Sequence, residues 1–538
     1  MMIHKNYVQV LIFLFFLTDF SRAIYGKEPS LLTGTFSDTL TFNNDLSMKF
    51  TARVPMKLPR GKILGLILVF HPHGGNESSM INWPTKTFLE RQKVLDEYVI
   101  IGLKSSGPQA YKEYLGDWEV ADHEPSYKVF QWAMKNYPID PRRVHIMGWS
   151  RGGFMVTRFI WDNLKDFASV TAYAGAYSSD WTKTSLGGYP KQDWVKLKWK
   201  DGVVNGEWTG KRFDYDMSFL DKSFRNHLLK YGIQNKIIIL DYFPEFYHVH
   251  GSSDYVIDVN LSRCYTDELA SKGISYIYRE LKDVNHAGVF QGEPVNMLVN
   301  DDVFSRIHAT RNKIIPLNKV ELGRLHFMKA NISEMDLVKA QKYIKEAARI
   351  GGPLAGEALI KAFDSKNEKV RIAALTSAYS TIYGAAFIEK LGEIITDKDS
   401  VWSKDFRFNA CHVLGRYVKW RQFNAKEILI NSVLDRSLSQ YIRFQLITAL
   451  SKTYEMMTLG NMYDDREVVE TLIKLLDDSD QGVRGYAHMI LVKGTDGKGR
   501  FGYNAAANSS QRQGAIKLWQ DWAKKVTVPL LSKDSVKK

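Results

Sequence analysis

The chain has 538 residues, too many for one core, so two or three domains are expected. Its apolar (45%), aromatic (13%) and charged (25%) fractions are those of a folded globular protein and exclude a fibrous or disordered one. The net charge of +14 comes from scattered lysines and arginines, without the basic block or zinc-finger spacing of a nucleic-acid binder, and two cysteines, Cys264 and Cys411, argue against a disulfide framework.

The first residues predict a targeting segment. Lys5 precedes an apolar run, Val8 to Leu17, broken only by Gln9, and Ser21-Arg22-Ala23 offers small residues for a signal peptidase. The run is too short to span a bilayer and Asp19 follows it, so residues 1–23 are expected to be a cleaved signal peptide and the protein to be exported, to periplasm or medium. No later stretch reaches the roughly 18 apolar residues of a membrane span.

From Leu31 the polarity alternates with a period of two. Thr35 to Phe42 and Met48 to Val54, on either side of an Asn-Asn-Asp turn, predict an antiparallel edge ribbon. Ile63 to Phe70 is apolar on both faces, as a buried central strand should be, and ends in His71-Pro72-His73-Gly74-Gly75-Asn76. Helical periodicity over Phe88 to Glu97, a strand at Tyr98 to Leu103, a helix over Pro125 to Asn136, and strands at Arg143 to Met147 and Ala168 to Ala174 follow. Residues 178–232 break the rhythm with Trp181, Trp194, Trp199 and Trp208. They are an insertion, either a self-packed aromatic cluster or a cap over the site. Strands at Lys236 to Leu240, Glu245 to His250 and Ser275 to Leu281, with helices at Leu261 to Lys272 and near Val303 to Thr310, resume the alternation. The pattern predicts a mostly parallel sheet with helices on both faces over residues 24–310.

Within it, Gly148-Trp149-Ser150-Arg151-Gly152-Gly153 lies between a strand and a helix, the context of a nucleophile elbow. A serine hydroxyl needs a base, and the base needs an orienting carboxylate. His286 and Asp254 follow late strands in the required chain order, with Asp258 as second choice for the acid. The Arg151 amide and the Gly74-Gly75 loop would form the oxyanion hole. His71-x-His73 and His248-x-His250 allow a metal pair, but the expected chemistry needs neither metal nor cofactor.

These stretches carry a resemblance. His73-Gly74-Gly75-Asn76, Tyr137 to Gly153, His250 to Ile257 and His286 make residues 31 to about 295 look like the α/β-hydrolase superfamily, in particular its secreted polyhydroxybutyrate depolymerase and feruloyl esterase branch. The run before the elbow is shared with prolyl-oligopeptidase-type peptidases. The resemblance implies a Ser150–His286–Asp254 esterase acting on a polymeric or polysaccharide-linked ester, with a serine peptidase, or a binding protein on an inert scaffold, as the alternatives.

The second half reads differently. After a linker, 311–325, residues 326–538 have helical periodicity. Val370-Arg371, Phe406-Arg407, Ile442-Arg443 and Val483-Arg484 each open an Ala/Leu-rich helix, after Asp364, Asp399, Asp435 and Asp478 respectively. The unit resembles the HEAT repeat, which implies arginine-to-aspartate pairing, a terminal cap near Trp519 and a surface for a protein partner.

Overall fold

The computed structural model describes residues 32–526, apart from 44–45, 59–62, 107–117, 119, 178–197, 201–202, 206–218, 221–242, 255, 273, 275, 282, 292–293, 398–400, 420–423, 459–465 and 494–499. The signal-peptide segment, the strand expected at 236–240 and nearly all of the insertion, with its cap reading, lie outside the described residues. Of the insertion, a two-stranded ribbon (β7, Lys198–Lys200; β8, Val203–Asn205) and residues 219–220 are described.

Among the described residues the first half is built on an eight-stranded sheet: β1 (Gly34–Asn43), β2 (Leu46–Val54), β3 (Leu64–Phe70), β4 (Tyr98–Leu103), β5 (Ile139–Trp149), β6 (Ser169–Tyr173), β9 (Glu245–Gly251) and β10 (Tyr276–Leu281). Their order is β1-β2-β4-β3-β5-β6-β9-β10. Only β2 runs against its neighbours, so the first two strands form the expected ribbon at one edge. The doubly apolar β3 is central between β4 and β5, and all seven of its residues are buried. Leu66, Leu68 and Phe70 enter the core on one face, against α2 (His123–Asn136), α3 (Arg151–Phe159) and α4 (Val259–Ser271). Ile67 and Val69 enter the core on the other face, with α1 (Thr87–Arg91) and α5 (Pro294–Ala309). Fully burying such a side chain contributes about 1.5–3 kcal/mol, so the two-faced strand ties both helix layers to one sheet. This is an α/β-hydrolase sheet with helices on both faces. Cys264 and Cys411 are both buried and not joined in a disulfide, and burial pushes the Cys411 thiol up to about 12.

The second half is helical. The expected linker is shorter than 311–325, because Asn318 caps a helix that begins at Lys319. The Asn318 side chain accepts from the Glu321 amide at 3.0 Å while the Glu321 carboxylate accepts from the Asn318 amide. Helices α6 (Lys319–Asn331) and α7 (Leu337–Ile350) lead into four pairs: α8 (Gly352–Ile360) with α9 (Glu368–Ser377), α10 (Ala385–Thr396) with α11 (Lys404–Lys419), α12 (Ala425–Leu434) with α13 (Gln440–Thr458), and α14 (Arg466–Lys474) with α15 (Gln481–Lys493). First helices pack on first helices and second on second, giving two layers over one continuous core. Helix α16 (Ser509–Val526) closes the stack, with Trp519 wholly buried.

The repeated arginines do something other than the expected pairing. Each reaches back to carbonyls at the end of the helix before it: Arg371 to Ser365, Arg407 to Ile395, Arg443 to Val433, and Arg484 to Asp478. Those carbonyls lack intrahelical donors, so a guanidinium satisfies them and complements the negative helix end. Arg443 and Asp478 form a carboxylate rung at 2.6 and 2.9 Å. Asp364 pairs with Lys361 at the surface, and Asp399 lies outside the described residues.

The two halves are joined at the sheet end remote from the elbow. Glu321 accepts from Arg142 at 2.7 Å and from Arg349 at 2.9 Å, and Arg142 also pairs with Asp140. Arg142, Asp140 and Glu321 are all buried. Asn312 donates its amide to the Arg142 carbonyl, and its side chain to that of Lys165.

Candidate active site

Strand β5 delivers the chain to Ser150 at the carboxyl end of the sheet, where α3 begins at the next residue. Ser150 has φ 56° and ψ −118°, the mirror-image extended region that a side chain normally avoids. Close contact imposes it. A methyl on Gly148 would stand 2.1 Å from the Gly152 carbonyl oxygen, and one on Gly152 would stand 2.0 Å from that of Phe70. The sequence reading placed both glycines. It missed Gly175, where a methyl would stand 2.4 Å from the Ser150 carbonyl oxygen. The Ser150 amide donates to Tyr173 at 2.8 Å, and its carbonyl accepts from Phe154. The nucleophile's backbone is therefore held by β6 and by its own helix.

Asp254 and His286 are brought together. His286 Nδ1 lies 2.6 Å from Asp254 Oδ2, on the loops after β10 and β9. The imidazole stacks over Trp149, the residue before Ser150, with ring centroids 5.7 Å apart. Asp254 is buried, and every oxygen of its carboxylate is used. Oδ1 accepts from the Val256 and Ile257 amides, and Oδ2 accepts from His286 and from His250 Nε2 at 3.1 Å. Burial raises the pKa of this carboxyl, but the hydrogen bonds from His250 and His286 outweigh it and hold the group well below the usual carboxylate range. An ionised Asp254 accepts only, so the His286 proton sits on Nδ1 and its lone pair on Nε2. Asp258, the second choice for the acid, instead accepts from the Asn260 amide at the start of α4.

The histidine pairs have separate tasks. His250, wholly buried, bridges Asp254 and Ser262, whose Oγ is 2.8 Å from Nδ1. The sequence reading weighed a metal pair against a packed or hydrogen-bonded histidine, and the hydrogen-bonded role is the one found; its place four residues before Asp254 was the available signal for the partner. His248 packs against Tyr265, and burial lowers its pKa to about 3. His71 donates to the Pro72 carbonyl and accepts from the Ser105 amide. No three His, Cys, Asp or Glu residues among those described are grouped to hold a metal.

The glycine loop after β3 is narrower in function than expected. The Gly75 amide closes a turn onto the Pro72 carbonyl at 3.0 Å, so it is committed within the loop. Gly74, at φ 71°, has open space on its α-carbon. Arg151 lays its guanidinium over the Phe154 ring, 5.7 Å from the centroid, and its amide opens α3 beside Ser150.

This geometry agrees with a family comparison. Residues 101–299 match the model of the prolyl oligopeptidase family. The matched stretch holds Ser150, Asp254 and His286, so the likeness and the geometry of the site fall on the same part of the chain. No curated protein sequence matches the chain. Among solved structures, a thermostable esterase is 14% identical over 52% of this chain, at a TM-score of 0.34. S-formylglutathione hydrolase from Staphylococcus aureus is 14% identical over 51%, and acylaminoacyl peptidase from Pyrococcus horikoshii 15% over 54%, each also at 0.34. The chain spans 63% of the esterase, 100% of the formylglutathione hydrolase and 44% of the peptidase. Likenesses this distant do not bear on substrate.

Proposed function

We propose that the protein is an exported esterase that cleaves carboxylic esters through an acyl-enzyme on Ser150. The observation that carries the reading is the Asp254–His286 hydrogen bond, with the imidazole stacked on the residue next to a strained serine. His286 Nε2 takes the Ser150 proton as Oγ attacks the carbonyl, and returns it to the departing alcohol. Asp254 holds the tautomer and offsets the imidazolium charge. The Arg151 and Gly74 amides receive the oxyanion. Water, deprotonated by the same histidine, then releases the acid.

The ester preference rests on the resemblance of the His73 to Asn76, His250 to Ile257 and elbow stretches to secreted depolymerases and feruloyl esterases. It extends to polymeric or polysaccharide-linked esters as substrates. The family match favours a second reading, a serine peptidase. We read the helical stack as HEAT-like and as a surface for a protein partner.

Purified protein is to be treated with a fluorophosphonate probe and assayed with p-nitrophenyl acetate and a peptide p-nitroanilide, beside Ser150→Ala. The proposal expects probe labelling and acetate hydrolysis that vanish in the variant, with little anilide cleavage. Dominant anilide cleavage, lost in the variant, would establish the peptidase. A wild type as inert as the variant would leave a binding protein.

A further inference from the structure

At the amino end of β3, remote from Ser150, a cavity of about 870 Å³ opens between the sheet and helices α6 and α7. Its walls carry seven cationic side chains against four carboxylates. The carboxylates are already matched. Asp96 pairs with Arg53, Glu97 with Arg143, Glu321 with Arg142 and Arg349, and Glu346 with Arg324 and Arg349. The surplus is therefore positive.

Two of the cations lie inside the mouth, Arg143 buried and Arg311 half-buried. Arg143 is 2% exposed, and its Nε has no hydrogen-bond partner among the described residues. Arg311 gives its donors to carbonyl oxygens of His308, Thr310, Ala348 and Arg349, with no carboxylate among them. Burial and the neighbouring Arg143 lower its pKa to about 10. Arg143 has the Glu97 carboxylate 3.2 Å away, whereas Arg311 meets only carbonyl oxygens, and two neighbouring guanidinium groups repel each other. At the rim, exposed Lys319, Lys342 and Lys345 have no ion-pair partner among the described residues. Lys345 also stands one helical turn from Arg349, an unfavourable spacing for like charges. A cation without a carboxylate partner within, and three unpaired lysines at the mouth of the same cavity, are accounted for together if an anion occupies it.

We propose that this cavity binds a compact polyanion, a small molecule bearing two or more phosphate or sulfate groups, between the hydrolase sheet and the helical stack. Its phosphate or sulfate oxygens meet Arg143 and Arg311 within and the three lysines at the mouth. The proposal does not depend on whether the serine site takes esters or peptides.

The test titrates the full-length protein with inorganic tripolyphosphate and, separately, sucrose octasulfate, by calorimetry at physiological ionic strength. Expected is one saturable site for at least one of them, with a raised melting temperature. The arm that binds tells phosphate from sulfate. Arg143→Met risks the fold, so the decisive variant is Lys342→Gln/Lys345→Gln on the exposed face of α7. It should weaken binding by about tenfold or more, while Lys366→Gln/Lys369→Gln, elsewhere on the stack, should leave it unchanged. The proposal is overturned if neither anion binds at millimolar concentration, or if the two double variants bind alike.

Discussion

Replacing Asp254 by asparagine tests the site most directly. The carboxylate serves four N–H groups: two amides on Oδ1, and the two histidines on Oδ2. Asparagine has one acceptor oxygen and one donor NH2 in the same space. With its oxygen toward Val256 and Ile257, its NH2 faces His286 and forces the proton onto Nε2, which removes the base. With its oxygen toward the histidines, the NH2 meets two amide donors, each orphaned at about 1–3 kcal/mol. The first arrangement costs less, so Asp254→Asn should fold and lose kcat by on the order of 10⁴, the loss typical of this change in a serine triad. That corresponds to about 5.4 kcal/mol of barrier. Steady-state hydrolysis of p-nitrophenyl acetate measures it, with thermal melting to confirm the fold. A kcat within tenfold of wild type would refute the tautomer argument.

The other consequences concern stability. Gly152→Ala should abolish soluble, active protein, because its methyl meets the Phe70 carbonyl oxygen at 2.0 Å in a strand that cannot yield; recovery of wild-type yield and melting would contradict it. Glu321→Gln removes the charge shared by Arg142 and Arg349, leaves Asp140 as the Arg142 carboxylate, and should cost about 1–3 kcal/mol, seen as a lower melting temperature and faster proteolysis between the halves, while Lys361→Gln, at an exposed pair, should change stability by less than about 0.5 kcal/mol. Asp254 and Asp478 have folded pKa values below their unfolded ones, so their stabilisation is present above about pH 4 and lost as pH falls toward the folded values. Melting temperature should therefore drop below about pH 4, and a flat profile to pH 3 would show that these carboxylates are not stabilised by folding.

What the sequence made readable was whatever steric necessity writes locally. The elbow glycines, the doubly apolar β3 and the order Ser150, Asp254, His286 each follow from one chain segment and one rule. His250 was visible as a hydrogen-bonded or metal-pair histidine without a named partner, since the same residue type at the same spacing serves a metal or a carboxylate, and only the approach of Asp254 decides between them. Gly75 was named with Gly74 because composition does not reveal which amide a turn consumes. The junction was not readable at all. Arg142, Glu321 and Arg349 look like surface charges in sequence, and they are buried together only because two separately coded domains meet there. The repeated arginines were found by their period, but their carbonyl partners depend on where each preceding helix ends.

The backbone of Ser150 sets activity against robustness at a single residue. Positive φ in a residue with a β-carbon costs of the order of 1–3 kcal/mol. Ser150→Ala keeps that cost, whereas Ser150→Gly removes it. The glycine variant should thus melt higher than the alanine variant, reversing the usual order of these residues. Selection for thermal endurance alone would erase the nucleophile. The inactive glycine form is then the better choice for trapping intact substrate, since it combines an empty attack position with a relaxed turn.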